Sequence, residues 1–116
     1  MKRLFVELPA FTAQVRAVKF SDAQLRGLQQ DIAGGRGDVI PGTGGLKKVR
    51  CAREHGGKRG GWRVVFADYP LWGVTLLVLA FPKNVKANLS PAEAGDLKRL
   101  KALLDREMEV RYGSPK

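Results

Sequence analysis

The residues best suited to chemistry in this sequence are basic and lie in one stretch. Seven of the 21 lysine and arginine residues fall between positions 47 and 63, where Glu54 is the only acidic residue. They are Lys47, Lys48, Arg50, Arg53, Lys58, Arg59 and Arg63. Guanidinium and ammonium groups bind phosphate oxygens, arginine as a planar fork and lysine as a point charge. The stretch therefore predicts a phosphate-binding surface, and a solvated loop that only aids solubility is the alternative.

Strand alternation predicts how the last of these cations is presented. Residues 62–68 have the composition of a strand, in which side chains alternate between the two faces. Trp62, Val64 and Phe66 share one face, which is apolar enough to be a core face. Arg63 is then expected to project from the opposite face, near the start of its strand.

The preceding strand, predicted over residues 46–53, carries further cations on one face. Lys48 and Arg50 share that face because they are two residues apart. If the two strands pair through the loop 54–61, Lys48 or Arg50 becomes a cross-strand neighbour of Arg63. Like charges so placed destabilise a sheet, which favours a functional role for the patch.

A basic site of this kind is sufficient for one reaction, the cleavage of RNA. RNA supplies its own nucleophile, the 2′-hydroxyl group, so that no metal is required. Arginine stabilises the charge that develops on the phosphoryl oxygens, and a lysine whose pKa falls among neighbouring cations can act as a base. The composition permits this chemistry without demonstrating it.

Other chemistries lack the residues they need. A single cysteine and a single histidine exclude an intrachain disulfide and a structural zinc site, so no metal or cofactor is expected. His55 lies in a glycine-flanked loop and is at most a supporting acid or base. Cys51 lies in a predicted strand, where packing is its usual role. Residues 42–45 resemble part of a phosphate loop but lack its Lys-Ser/Thr pair.

A second polar cluster follows the apolar strand predicted over residues 74–81. It consists of Lys83, Asn84, Lys86 and Asn88. The end of a rigid strand is a suitable place to present groups to a ligand. An ordinary polar loop leading into the next helix is the alternative.

Hydrophobic periodicity predicts an α+β fold. Ser21 and Ser90 each begin a capping box, with Gln24 and Glu93 three residues later. Strands are expected over residues 4–8, 46–53, 62–68 and 74–81, and helices over 10–18, from Ser21 to Gly34, and from Ser90 onward. The short connections favour a mostly antiparallel four-stranded sheet of order β-α-α-β-β-β-α with helices packed on it. The last strand is almost continuously apolar, which predicts burial on both faces.

The length of 116 residues favours a single domain over positions 1–116. The formal charge of +10 points to a polyanion or an acidic protein as partner. The longest apolar run, residues 74–81, is far shorter than the about 20 residues that a membrane helix needs. We therefore expect a cytoplasmic protein with no membrane partner.

Four segments resemble a known family in their order along the chain. They are Asp38–Arg50 (DVIPGTGGLKKVR), Gly60–Phe66 (GGWRVVF), Leu76–Lys86 (LLVLAFPKNVK) and Leu89–Glu93 (LSPAE). Together they resemble the RelE/HigB superfamily of type II toxin–antitoxin toxins, and most closely its HigB-2-like branch. The resemblance implies a ribosome-dependent mRNA endonuclease that cuts codons in the A site. It also implies neutralisation by a cognate helix-turn-helix antitoxin encoded adjacently, and a small antiparallel sheet with helices packed on it.

The resemblance also implies which residues form the site. Arg63 matches the strand-borne arginine of the family and is the expected phosphate stabiliser. Lys48 and Arg50 match the basic residues of the preceding strand, with Lys47 an alternative if the register shifts. Lys83 matches the cation after the last strand. The further cations expected to bind RNA are Lys47, Arg53, Lys58, Arg59 and Lys86.

The sequence departs from its relatives at the C-terminus. Several relatives carry a Tyr or His there that stacks on the base or shares proton transfer, and the candidates here are Tyr112, expected beyond the last helix, and Phe81. Two other functions also fit the residues. One is a non-catalytic RNA- or ribosome-binding module, and the other is an interaction protein whose cationic face binds an acidic partner.

Overall fold

A computed structural model describes residues 3–51, 61–82 and 89–113 of the chain. Within them the α+β class is confirmed. The helices are α1 (Pro9–Ala17), α2 (Asp22–Ala33) and α3 (Pro91–Tyr112). The strands are β1 (Leu4–Glu7), β2 (Asp38–Val39), β3 (Lys47–Cys51), β4 (Trp62–Tyr69) and β5 (Val74–Pro82), with a 3₁₀ turn at Pro70–Trp72 between the last two.

The strands form one sheet of order β1-β5-β4-β3-β2. Neighbouring strands are antiparallel except for β1, which runs parallel to β5. The sheet is therefore mostly antiparallel, as expected, but it has five strands rather than four. The additional strand is β2, which is only two residues long and lies in a turn-rich segment without alternating hydrophobicity. Such a strand forms because β3 offers it an edge, and its own sequence carries no signal for it.

The helices cover both faces of the sheet. On one face, α1 and α2 contribute Phe11, Val15, Leu28 and Ile32 to a core cluster that contains Val64 and Phe66 of β4. On the other face, Leu97 and Met108 of α3 pack in a second cluster with Val65 and Ala67 of β4. The assignment of Val64 and Phe66 to a core face is therefore confirmed. The opposite face is also a core along most of β4.

Strand β5 is buried on both faces, as its apolar run predicted. Residues 74–78 are all buried, and they alternate between the two core clusters except for Thr75. A bulge lies between the pairs Val65–Leu79 and Phe66–Leu77, so that Val78 is the extra residue. Val78 and Leu79 both pack on the α3 side. The bulge thus adds the Val78 side chain to the core beneath α3.

Both predicted capping boxes are present. The Ser21 hydroxyl accepts from the Gln24 amide at 3.0 Å, and the Gln24 side chain accepts from the Ser21 amide at 2.9 Å. Ser90 and Glu93 make the equivalent pair of bonds at 3.1 and 2.9 Å. Each box satisfies two amide groups that an isolated helix start would leave without partners.

The segment between β2 and β3 is fixed from inside. Thr43 is fully buried, and its hydroxyl donates to the carbonyl oxygen of Ile40 at 2.7 Å. Ile40 and Leu46 belong to the core cluster beneath α3. The glycine-rich stretch resembling a phosphate loop is therefore a packed turn that positions β2 and β3.

Within the described ranges, no helix is both long and apolar enough to cross a bilayer.

Candidate functional site

The cations of β3 and β4 meet on one face of the sheet. Arg63 lies in register with Arg50 of β3 on one side and with Phe81 of β5 on the other. Lys48 pairs with Val65. Because Lys48 is two residues before Arg50 and Val65 is two residues after Arg63, Lys48 lies on the same face as both arginines. The expectation that Lys48 or Arg50 neighbours Arg63 is confirmed. Rigid sheet pairing, rather than a loop, fixes their spacing.

A cleft of about 510 Å³ opens beside these side chains. Residues 35–38, which lead into β2, line one side, and β3 and β4 line the other. Its charged residues are Arg36, Lys48, Arg50 and Arg63, with Asp38 as the one carboxylate in the lining. We call it the cationic cleft. Four cations against one carboxylate suit it to a ligand with more than one negative charge.

A second cleft of about 240 Å³ adjoins the first. Lys48 and Arg63 line this cleft too, so the two side chains form the wall between both spaces. The remaining lining is apolar and comes from Ile40, Pro41, Phe81, Leu89 and Ala94. We call it the apolar cleft. A ligand with a charged group joined to a flat apolar group would fit across the two.

The charge on this wall is not neutralised by the surrounding protein. Across residues 3–51, 61–82 and 89–113, neither Lys48 nor Arg63 forms an ion pair with a carboxylate. Helix α3 differs, because three of its five cations pair with acids on the same helix: Arg99 with Asp96, Lys101 with Asp105, and Arg111 with Glu107. Lys48 and Arg63 are thus left to attract an anion from outside.

Lys47 points away from this wall. It pairs with Phe66, whose ring lies in the core on the α1–α2 side, and it lines neither cleft. The register of β3 therefore brings Lys48, and not Lys47, beside Arg63. The other expected cations, Arg53, Lys58, Arg59, Lys83 and Lys86, lie outside the described residues, as do His55, Asn84 and Asn88.

Arg36 is a site residue that sequence reasoning missed. It lies in a Gly-Gly-Arg-Gly turn, remote in sequence from the basic stretch, and it enters the cationic cleft only because β2 pairs with β3. Gly37 lets the backbone pass close to the Phe66 ring at this point. Its φ is +126°, and a Cβ there would lie 2.6 Å from Cζ of Phe66. An arginine flanked by glycines was the one local signal.

A comparison with family models identifies the chain. The model of the RelE toxin of the RelE/RelB toxin–antitoxin system matches residues 2–110. The chain belongs to the RelE toxin family. It is thus a toxin of a toxin–antitoxin system, with a cognate antitoxin implied as partner, and toxins of this family are typically ribonucleases that block translation. The match covers the RelE family as a whole and does not separate the HigB-2-like branch from it.

The two aromatic candidates of this RelE-family toxin lie at opposite ends of the fold. Phe81 lines the apolar cleft beside Arg63. Tyr112 is the last residue of α3 rather than a residue beyond it, and it stacks on Trp72 with ring centroids 5.9 Å apart. Tyr112 lies eighteen positions after Ala94 of the apolar cleft on the same helix, a distance of about 27 Å. Of the two, Phe81 is therefore the one beside the cations.

The cysteine of the toxin is a packing residue. Cys51 is buried in the core cluster on the α1–α2 face. Burial raises the pKa of its thiol, and the charge of Asp31 raises that pKa further. A thiol held protonated in this way is a poor nucleophile.

Within the described residues, no group of three or more His, Cys, Asp or Glu side chains is arranged to hold a metal ion.

Proposed function

We propose that this toxin is a ribosome-dependent mRNA endoribonuclease of the HigB-2-like branch. It cleaves translated mRNA in the ribosomal A site without a metal and so stops translation. A helix-turn-helix antitoxin encoded next to it neutralises it. Action on translating ribosomes is consistent with a cytoplasmic protein.

One observation carries this proposal. Lys48 and Arg63 form a wall shared by a cationic cleft and an apolar cleft. A nucleotide has the matching shape, with a phosphate group joined through a sugar to a flat base. Because no described carboxylate pairs with either cation, both are available to a phosphate group. The match to the RelE family supports RNA as the ligand.

The chemistry follows from these residue types. The 2′-oxygen of the RNA attacks the adjacent phosphorus, and Lys48 is the side chain that we assign as the base that takes its proton. Arg63, with Arg50 beside it, binds the phosphoryl oxygens as negative charge builds on them. The bond from phosphorus to the 5′-oxygen then breaks, and the protonated Lys48 returns the proton to that oxygen. The products are a 2′,3′-cyclic phosphate and a free 5′-hydroxyl.

Residues outside the described ranges complete the proposal. Lys83 is proposed as a further catalytic cation. Arg53, Lys58, Arg59 and Lys86 are proposed to bind the RNA backbone. Lys47, which lies within the described residues on the other face of β3, is proposed to bind the backbone as well. Their expected contribution is electrostatic, so it should weaken as salt rises.

Cell-free translation of a defined mRNA tests the proposal. Primer extension would map cuts for the wild type, for Arg63→Ala and for Arg106→Ala, which removes an equal charge from an exposed position of α3 outside both clefts. We expect cuts within translated codons that require ribosomes, disappear in Arg63→Ala and persist in Arg106→Ala. Thermal unfolding would show that both variants fold.

Three results would contradict the proposal in whole or in part. An intact transcript with normal translation by the wild type would exclude a toxin that cleaves mRNA. An intact transcript with stalled translation would instead support a non-catalytic ribosome-binding module. Cuts that are equally frequent without ribosomes would refute ribosome dependence alone.

A further inference from the structure

Arg36 forms the outer wall of the cationic cleft. It is exposed and lies two residues before Asp38, the first residue of β2. Asp38 pairs with Lys48, and residues 35–38 line the cationic cleft together with Lys48, Arg50 and Arg63. Arg50 in turn lies opposite Arg63. Three arginines, Arg36, Arg50 and Arg63, therefore line the same cleft.

The backbone around Arg36 is held in place from both sides. Its amide donates to the carbonyl oxygen of Asp31 at 3.0 Å, which fixes the turn to the end of α2. The next residue, Gly37, lies close to the Phe66 ring in the core. The side chain thus starts from a fixed point at the rim of the cleft, and ordering it costs only its own rotamer freedom.

The guanidinium of Arg36 has donors to offer. Its nearest carboxylate oxygen is Oδ1 of Asp31, 3.9 Å from Nε, which is too long for a hydrogen bond. The two side chains are 74% and 40% exposed, and exposed ion pairs of this kind contribute about 0–1 kcal/mol. Within the described residues its side chain donates no hydrogen bond. An incoming phosphate group would therefore displace little.

We propose that Arg36 binds a phosphate group of the RNA strand next to the one that Arg63 holds. The proposal rests on the proposed function in taking RNA as the ligand. β2 and β4 are two positions apart in the sheet, which is about 10 Å, and Arg36 lies just before β2. Arg36 is therefore placed to bind a neighbouring phosphate group, while Arg63 binds the reacting one. Arg36 thus sets the path of the strand across the cationic cleft and takes no part in the chemical step.

Salt dependence of RNA binding tests this assignment. The probe is a short fluorescein-labelled single-stranded RNA with 2′-O-methyl sugars, which cannot undergo 2′-oxygen attack. Fluorescence anisotropy would give its dissociation constant at a series of sodium chloride concentrations. For single strands, each phosphate contact contributes about 0.7 to the slope of log affinity against log salt concentration. We expect Arg36→Ala to reduce the slope by about 0.7, with several-fold weaker binding at low salt.

Two variants control for charge and for position. Arg36→Lys keeps the cation and is expected to restore most of the slope. Arg26→Ala removes the same charge from an exposed position of α2 outside both clefts and is expected to leave the slope unchanged. Equal slopes for the wild type and Arg36→Ala, equal losses in Arg36→Ala and Arg26→Ala, or no salt-dependent binding by the wild type would each overturn the proposal.

The outcome also separates this inference from the proposed function. If the wild type fails to cut translated mRNA but the slope still falls in Arg36→Ala, the nuclease is refuted and the phosphate contact stands. If the wild type cuts and the slope is unchanged, the nuclease stands and Arg36 is not part of the RNA path.

Discussion

Arg50 and Arg63 lie directly opposite each other on adjacent antiparallel strands. Like charges in this position destabilise a sheet, and an opposite charge or a neutral pair would be more favourable. The sheet is therefore less stable at this point than its packing alone would allow. Such a loss is typical of functional sites, where stability and activity oppose each other.

Replacing Arg63 should separate these two effects. Arg63→Gln removes the cross-strand repulsion while keeping a polar, though shorter, side chain. We expect the free energy of unfolding to rise by about 0.2–1 kcal/mol while cleavage is lost. Urea unfolding at low and high salt would measure it, and the gain should shrink at high salt because repulsion is screened. A variant less stable than the wild type at every salt concentration would contradict the prediction.

Phe81 should act on RNA, whereas Tyr112 should not. Base–aromatic stacking contributes about 1–3 kcal/mol, so Phe81→Ala is expected to lower cleavage at limiting mRNA about tenfold, with Phe81→Tyr close to the wild type. Tyr112→Ala removes the stack on Trp72 at the far end of α3 and should affect stability alone. Rates of codon cleavage, compared at equal folded fractions, would check this. Equal losses in Phe81→Ala and Tyr112→Ala would count against a base site at Phe81.

Gly37 should tolerate no side chain. Its φ of +126° is unfavourable for other residues, and a Cβ would clash with the Phe66 ring at 2.6 Å. We expect Gly37→Ala to destabilise the fold by about 1–3 kcal/mol and to displace Arg36. Gly27→Ala is the matched control, because α2 leaves open space there and alanine favours a helix by about 0.5–1 kcal/mol. A lower urea midpoint for Gly37→Ala and a higher one for Gly27→Ala would confirm both predictions. An unchanged midpoint for Gly37→Ala would contradict the first.

The toxin should be more stable with glycine in place of Lys19. The end of α1 is a Schellman motif, in which the Lys19 amide donates to Arg16 at 3.2 Å and the Phe20 amide to Val15 at 3.0 Å. Lys19 has a φ of +55°, a conformation that glycine adopts without strain. Lys19→Gly is expected to raise the free energy of unfolding by about 0.5–1 kcal/mol. Lys19→Ala should give no gain, and equal midpoints for the two variants would argue against backbone strain.

Tyr69 should make the toxin sensitive to alkali. Burial raises the pKa of its phenol well above the ordinary 10.0, and a hydrogen bond of 2.7 Å to Asp105 together with the charge of Asp105 adds to the shift. The folded state thus keeps a proton that the unfolded state releases near pH 10, so stability present below that pH falls as pH rises above it.

Tyr69→Phe tests this linkage. The variant loses the hydrogen bond and should be about 1 kcal/mol less stable at neutral pH. Above pH 10 its stability should fall less steeply than that of the wild type. Urea unfolding over a pH series would measure both slopes, and parallel slopes would contradict the assignment.

Strand alternation was enough to predict the inner part of the site. The period of two placed Val64 and Phe66 in a core and Arg63 on the opposite face, and the short loop predicted its pairing with the strand that carries Arg50. The place of Arg36 beside the site could not be predicted in this way, because it depends on where β2 lies. β2 is held in the sheet by its pairing with β3, and its own two residues carry no strand signal. The parallel pairing of β1 with β5 was missed for a related reason, since two helices and three strands separate them in sequence.

The position of Arg63 in the middle strand links activity to the cooperativity of the whole fold. β4 is hydrogen-bonded on both sides and lies between two cores, so its amides should exchange with solvent only through global opening. A partly opened chain would have lost the pairing that holds Arg50 and Arg63 together. Degradation in a cell follows the population of the opened form when opening is fast compared with cleavage by a protease. The lifetime of toxicity would then be set by the same free energy that holds the sheet together.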